Sequence, residues 1–494
     1  MTTRLQTAIV AIAIGLVVPA AARTLARSEG PDTLSAGRIL TLDDALTLVF
    51  TENPTVKALA YEEHAAAQER RAAIGLRMPQ IGLTGAYAYL SKDLGFDFNN
   101  LKAPFGDVAG KLLPLVPDAL RPELTGYVEQ LTGADWFVEL QNRSVGFVGG
   151  EVSLPIWLGG KINAANRAAA INEQTVGEQG RQTRNALVSE LVERYFGLAL
   201  SMQVIEVRRQ VVEGVRRHLA DAEALERNGM IARSERLYVE FKLAEAERDL
   251  SDARLQWQTV SAALDNTLGL DADWRPLTAM FLLEGLEPLS YFQELALDCN
   301  PLLRQAGLKY RLAEEGVKVQ RADFLPQVAA VGGGTLYNYQ VSGLAPRWAV
   351  GVGVRIKLFD GLSREYRYSA ARATVRRVGE LQTQAAREIA VLVEQLYNEL
   401  TNCRNRMRSI GASLTFAESY LRMKEAAFRE GMATSTELID AELDLAGVRI
   451  ERLRNAYDYD CRLARLLEAA GISDAFAAYA RRVDARIVLF DKNQ

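Results

Sequence analysis

From Trp348 to Leu358 the chain reads Trp-Ala-Val-Gly-Val-Gly-Val-Arg-Ile-Lys-Leu, with a large apolar side chain at every second position and Ala, Gly, Arg or Lys between. A period of two sustained from Trp348 to Leu358 predicts a strand with one apolar face and one small or polar face. Just upstream, a Gly-rich run from Gln327 to Tyr337 supplies the other arm of a hairpin. The same design stands earlier in the chain. There Ile81, Leu83, Tyr87 and Tyr89 oppose Gln80, Gly82, Thr84 and Ala86, and Val152, Leu154 and Ile156 oppose Glu151, Ser153 and Pro155. Each hairpin runs out into glycine, at Gly159-Gly160 and at Gly361.

The two hairpins belong to a duplication. Asn53-Pro54 recurs as Asn300-Pro301 and Pro79-Gln80-Ile81 as Pro326-Gln327-Val328, both at an offset of 247. Beyond the first hairpin the offset becomes 202, carrying Val152 to Val354, Gly229-Met230 to Gly431-Met432 and Gly269 to Gly471. The offsets differ by 45, which places an insertion between Ile81 and Val152. It occupies about 91–144, carries Phe96, Phe98, Phe105, Trp136 and Phe137, and includes one short helix around 121–131.

Around the strands the pattern turns helical. Leu42 to Arg77 and Leu289 to Phe324 have helical spacing broken at Asn-Pro, because the residue before proline is pushed out of the α region. Ile162 to Asn228 is a long proline-free stretch, a rod of roughly 100 Å at a rise of ~1.5 Å per residue. Its partner, Ser363 to Glu430, carries a heptad seam through Ile389, Val393, Leu396 and Leu400. After Gly431 the seam resumes from Ile439 to Leu467 with Asp460 as its one polar intrusion, so each rod turns back on itself at a Gly-Met pair. Thr434 and Glu437 have capping-box spacing for the second return. The expected fold is α+β, mostly α, with two repeats of helix, strand, strand, long helix, helix. Residues 23–272 form the first repeat, 273–288 a linker and 289–494 the second repeat with a helical tail.

Composition narrows the function. The 494 residues hold 58 basic and 62 acidic side chains for a net charge of −4, a balance unlike that of a dedicated nucleic-acid binder. Arg4, the apolar run Ala8–Val18, and the small residues Ala20 and Ala22 predict an export signal over 1–22, too short to span a bilayer as a helix. No cysteine lies near the cleavage point, so no lipid attachment is expected there. Cys299, Cys403 and Cys461 have no metal or redox spacing and read as apolar fillers. With only His64 and His218, and no Gly-x-x-x-x-Gly-Lys, His-Glu-x-x-His or Gly-x-Ser-x-Gly motif, the chain is not read as an enzyme; neither cofactor nor metal is expected.

Four exported strands with an apolar face cannot hide their own edges. In lipid every backbone amide must find a partner, which points to closure by further copies of the chain. The repeat plan, Leu325-Pro326-Gln327 before a strand, Leu358-Phe359-Asp360-Gly361 after one, and the Gly-Met turns running on to Ser234-Glu235 and Thr436-Glu437 resemble the TolC family of outer-membrane efflux and secretion channels. That resemblance implies a homotrimer whose 12-stranded outer-membrane β-barrel continues into a periplasmic α-helical coiled-coil barrel. It implies export through a periplasmic adaptor and an inner-membrane pump, with outer-membrane lipid around the strands. The rival reading is a soluble periplasmic coiled-coil adaptor.

For conduction, the residues that matter line the path. Glu151, Ser153, Arg355 and Lys357 oppose the apolar strand face and are lumen candidates; Arg355 and Lys357 read equally well as snorkelling side chains at the strand end. Glu235, Glu437 and Asp440 lie at the start of the returning helices, where the resemblance implies an acidic constriction; N-terminal helix capping is the alternative reading. In one form of the family gate a Tyr precedes the tip Gly by three and an Arg follows it by two; Phe428 and Ala433 stand here. Gly229, Met230, Gly431 and Met432 are the expected adaptor contacts, and the insertion is expected to be extracellular.

Overall fold

The structure is a computed structural model that describes residues 38–341 and 346–489; the expected export signal lies outside these. In each repeat a short helix and a longer one precede the hairpin: α1 (Leu42–Glu52) and α2 (Pro54–Gly75), then β1 (Gln80–Tyr89) and β2 (Ser144–Leu158). The rod α3 (Lys161–Arg227) and the return α4 (Arg233–Leu268) follow. The second repeat runs α5 (Leu289–Cys299), α6 (Pro301–Ala322), β3 (Gln327–Tyr339), β4 (Trp348–Arg355), α7 (Ser363–Arg429) and α8 (Ser435–Ala469). Both rods are 67 residues long.

The four strands form one antiparallel sheet in the order β1-β2-β3-β4, so β1 and β4 are its free edges. The helices repeat this order. The returns α4 and α8 cover only the far half of each rod, and the near half packs in the sequence α2-α3-α6-α7, with α2 and α7 outermost. Asn53 ends α1 and caps α2, its side chain accepting from Thr55 N at 2.7 Å, while Asn300 does the same for α6 from Leu302 N at 2.9 Å. Pro54 and Pro301 then occupy the first helical position, where no N–H is needed.

The core lies at mid-rod, where all four long helices meet. Tyr195, Phe196, Phe281, Phe292, Tyr459 and Phe476 are fully buried there. The interval 273–288 is built into this core rather than strung across it. Trp274–Pro276 pairs in parallel with Arg38–Leu40, and Met280–Leu283 pairs with Ala485–Val488 from the tail, so that Met280, Phe281, Leu282 and Leu283 are all buried. The Tyr195 hydroxyl ties the girdle down, donating to the Leu40 carbonyl at 2.7 Å and accepting from Thr278 N at 2.9 Å.

Candidate functional site

The register of the sheet sorts its side chains into two faces. Ile81 stands opposite Val152, which stands opposite Gly332, which stands opposite Val350, and all four point the same way. That face adds Leu83, Tyr87, Trp348, Val352 and Val354; Trp348 and Val350 are exposed at 72% and 76%, so in one chain the apolar face has nothing to cover it. The other face carries the rows Gly82-Glu151-Gly333-Ala349 and Gln80-Ser153-Val331-Gly351. These rows line a concave basin of about 670 Å³. Glu151 and Ser153 thus sit on the hollow, small-residue side, with the Glu151 side chain lying across Gly82, where an added Cβ would stand 3.0 Å from Oε1.

Arg355 shares that face, opposite Gln327, but six residues farther along β4 than Ala349, about 20 Å nearer the helices. Lys357 lies beyond the strand, which stops at Arg355, in the connection that Arg364 ties to the start of α7. Its guanidinium donates to the Lys357 and Leu358 carbonyls at 2.6 and 3.2 Å and lies over the Phe324 ring at 5.0 Å.

At the far end, Gly229 and Gly431 adopt φ of +71° and +72°, ending each rod in the left-handed conformation that glycine tolerates best. Met230 and Met432 next to them are 70% and 76% exposed. Thr434 Oγ1 accepts from Glu437 N at 3.3 Å, half of the expected capping box. The Glu437 carboxylate turns instead to Lys424 on α7, at 2.8 Å, and this bond holds the Lys424 ammonium above its ordinary pKa. Asp440 lies near Lys242 of α4, whose pKa is raised first by its bond to Glu245 and further by Asp440. Glu235 has no ion pair among the described residues; its repeat-equivalent of Lys424 is Ala222, buried in the rod. The acidic tip is therefore partly neutralised. Lys424 lies seven residues before the tip Gly and Glu437 six after it, a hairpin spacing that could have revealed the pair.

The insertion folds into a lobe with a hairpin, Leu94–Asp97 against Phe137–Gln141, and two helices, Lys102–Leu112 and Arg121–Gly133. The second is the expected helix. The first was hidden by Pro104, Gly106 and Gly110, although Leu101, Phe105, Val108 and Leu112 keep helical spacing. No residue from 91 to 143 is buried. Of the two histidines, His64 bonds Gln68 on its own helix, and His218 joins α3 to α8 through Glu442 at 3.2 Å. No helix among the described residues is long and apolar enough to cross a membrane.

The likeness to known proteins follows this plan. Alkaline protease secretion protein AprF of Pseudomonas aeruginosa is 26% identical over 320 residues, 60% of this chain and 64% of AprF, just under two thirds of that relative's length. Protein CyaE of Bordetella pertussis is 27% identical over 328 residues, 63% of this chain and 68% of CyaE. Among solved structures, CusC, described for its transmembrane channel formation, superimposes with a TM-score of 0.69 at 14% identity, over 87% of this chain and 92% of that one, which establishes a shared fold. The family described as outer membrane efflux protein matches residues 46–270 and 293–472, taking in both repeats. The chain belongs to the outer membrane efflux protein family.

Proposed function

We propose that this chain is the outer-membrane exit duct of a tripartite efflux or type I secretion machine. It assembles as a homotrimer whose 12 strands close one barrel and whose rods form a periplasmic tunnel. The observation that carries this reading is the unfinished sheet, with one face apolar and bare, the other small and hollow, and both edges free. In lipid those edges must pair, and the bare face needs hydrocarbon. Family membership favours a duct over a soluble adaptor. The likeness to a protease secretion protein favours an exported polypeptide as cargo.

In this reading Glu151 and Ser153 line the barrel, Arg355 lines its inner rim, and Glu235, Glu437 and Asp440 surround the periplasmic entrance. Gly229, Met230, Gly431 and Met432 at the exposed tips meet a periplasmic adaptor, which links the duct to an inner-membrane pump. Planar-bilayer recording on detergent-purified protein tests conduction. Defined unitary currents are expected; a protein that stays in aqueous buffer as a monomer and gives no currents refutes the proposal.

A further inference from the structure

The two rods share one plan, and α7 departs from it close to the sheet. Under the offset of 202, the stretch 163–177 at the start of α3 corresponds to 365–379 on α7. The first holds one arginine, Arg167, which is tied to Glu315 of α6 at 2.9 Å. The second holds four, Arg367, Arg372, Arg376 and Arg377, against the single acid Glu365, at places where α3 has Ala165, Ala170, Gln174 and Thr175. A rod in this position therefore folds without them. All four are exposed and none has a carboxylate partner among the described residues; Arg372 lies over the Tyr368 ring at 6.0 Å.

Their level follows from the apolar surface of the sheet. Trp157 stands opposite Val328, which stands opposite Val354, so Trp157 ends the apolar face on the side of the helices. Exposed apolar side chains run on past the strands through Leu358 and Phe359 to Tyr366, which is 71% exposed. Trp and Tyr collect where hydrocarbon gives way to headgroups, which puts the edge of the hydrocarbon near Tyr366 in an outer membrane. Arg372 and Arg376 follow six and ten residues later, about 9 and 15 Å along a helix rising ~1.5 Å per residue. Helical side chains lean toward the N-terminus of their helix, and α7 starts at the sheet, so these arginines reach back toward the membrane. A headgroup layer of about 5–8 Å and a screening length of ~8–10 Å bring both within range of lipid phosphate.

The four arginines also divide between two flanks. At ~3.6 residues per turn, Arg372 and Arg376 fall on one side of the half-buried stripe Arg364, Tyr368 and Val375, which packs toward Phe324 and α6. Arg367 and Arg377 fall on the other side. In the wall of a tunnel one flank faces the lumen and the other faces outward, so two free guanidiniums face outward whichever flank that is.

We propose that the outward pair of arginines on α7 binds the phosphate headgroups of anionic phospholipid in the periplasmic leaflet. This rests on the outer-membrane reading and adds a lipid partner to it. Charge complementarity selects that partner: a chain of net charge −4 gathers four cations without ion pairs at the one level where a bilayer presents phosphate. The planar fork of a guanidinium takes two phosphate oxygens at once and stays charged throughout the working pH range. Each basic side chain close to an anionic surface strengthens binding by about five-fold.

Electron spin resonance of spin-labelled lipids, with the protein reconstituted in phosphatidylcholine bilayers, tests the site. Spin-labelled phosphatidylglycerol is expected to associate several-fold more strongly than spin-labelled phosphatidylcholine, with the preference falling as salt is added. Two double variants are compared, Arg372→Gln with Arg376→Gln and Arg367→Gln with Arg377→Gln. One is expected to lose most of the preference and the other to keep it. An unchanged preference in both overturns the lipid site. Two results would then reassign the arginines: a shift in the ion selectivity of the current places them in the lumen, and a fall in the oligomer's resistance to detergent places them against the neighbouring copy. A protein that enters bilayers and conducts, yet shows no headgroup preference, overturns the lipid site alone. One that does not enter bilayers refutes the outer-membrane reading beneath it.

Discussion

Asn53 donates its side-chain amide to the Thr267 carbonyl at 2.7 Å, joining the start of α2 to the last turn of α4, 214 residues away. The same side chain caps α2 through its oxygen. Asn300 does both jobs in the second repeat, donating to Ala469 at 2.8 Å. Asparagine alone among the favoured N-cap residues offers an acceptor and two amide hydrogens. Asn300→Ala removes a cap worth ~1 kcal/mol and strands a buried carbonyl at a further ~1–3 kcal/mol. Asn300→Ser keeps a capping oxygen and loses the amide donor. Thermal unfolding of the detergent-solubilised protein should therefore rank wild type above Ser and Ser above Ala, by about 2–4 kcal/mol in all. A Ser variant no better than Ala contradicts the split.

The Asn-Pro pairs were legible in the sequence because they punctuate it; their bonds to the returning helices were not, because nothing local marks a partner so far along the chain. The same divide runs through the rest of the fold. Period-two alternation located all four strands, yet it continues to Leu358 while β4 ends at Arg355. Side-chain alternation persists in any extended backbone, whereas pairing needs a neighbour, and Gln327, where β3 begins, is the last residue to offer one. The interval 273–288 reads as a linker by its turn residues, but Met280 to Leu283 is an unbroken apolar run buried as a short strand. At the tip, the acids were visible in the sequence and the spacing about Gly431 offered Lys424 as a partner of Glu437, whereas Lys242 stands on the returning helix of the other repeat, beyond the reach of local spacing.

Among the glycines with a positive φ, the surroundings of three separate backbone strain from steric exclusion. At Gly431 φ is +72° and an added Cβ meets nothing within 4 Å. At Gly471 φ is +78° and the Cβ would stand 2.4 Å from the Cys299 carbonyl oxygen, where α5 ends. Gly431→Ala should thus cost only the left-handed penalty of about 1–2 kcal/mol. Gly471→Ala must also push α5 away and should cost several kcal/mol, or abolish folding, with Gly269→Ala in between because its Cβ lies 3.0 Å from the Glu52 oxygen. Unfolding midpoints of the three variants check the order.

Asp460 is fully buried, accepts one bond from Phe281 N at 3.2 Å, and leaves Oδ1 without a partner. Burial holds its carboxyl protonated well above the usual carboxylate range, and the bond from Phe281 N only partly opposes this. The sign follows from proton counts. Unfolded, the group ionises near ~4, so above that pH unfolding releases a proton and stability falls as pH rises until the native group itself ionises. Below ~4 both states hold the proton and the group contributes no slope. Asp460→Asn keeps the acceptor and cannot ionise. Its denaturation midpoint should exceed that of wild type at pH 8, by about 1.4 kcal/mol for each pKa unit separating the two states, and approach it at pH 4. Equal differences at both values would rule out the protonated carboxyl.

The tip offers a test in which one residue's removal strengthens an effect. Glu437 is tied to Lys424 and Asp440 lies near Lys242, whereas Glu235 has no ion-pair partner among the described residues. In the trimer proposed above, a divalent cation drawn to a ring of these carboxylates would compete with the lysines for two of the three acids in each subunit. Lys424→Ala should therefore tighten block of channel current by added Ca²⁺ or Mg²⁺, by up to about five-fold, the modest effect that loss of an exposed ion pair allows. Glu235→Ala should weaken block more than Glu437→Ala, because the second loses an acid already half neutralised. The pairing also sets the salt dependence. Screening releases Glu437 from Lys424 as it weakens the cation's own attraction, so the Lys424→Ala channel should lose block more steeply than wild type between low and physiological salt. Block that is indifferent to all three substitutions would move the constriction away from the start of the returning helices.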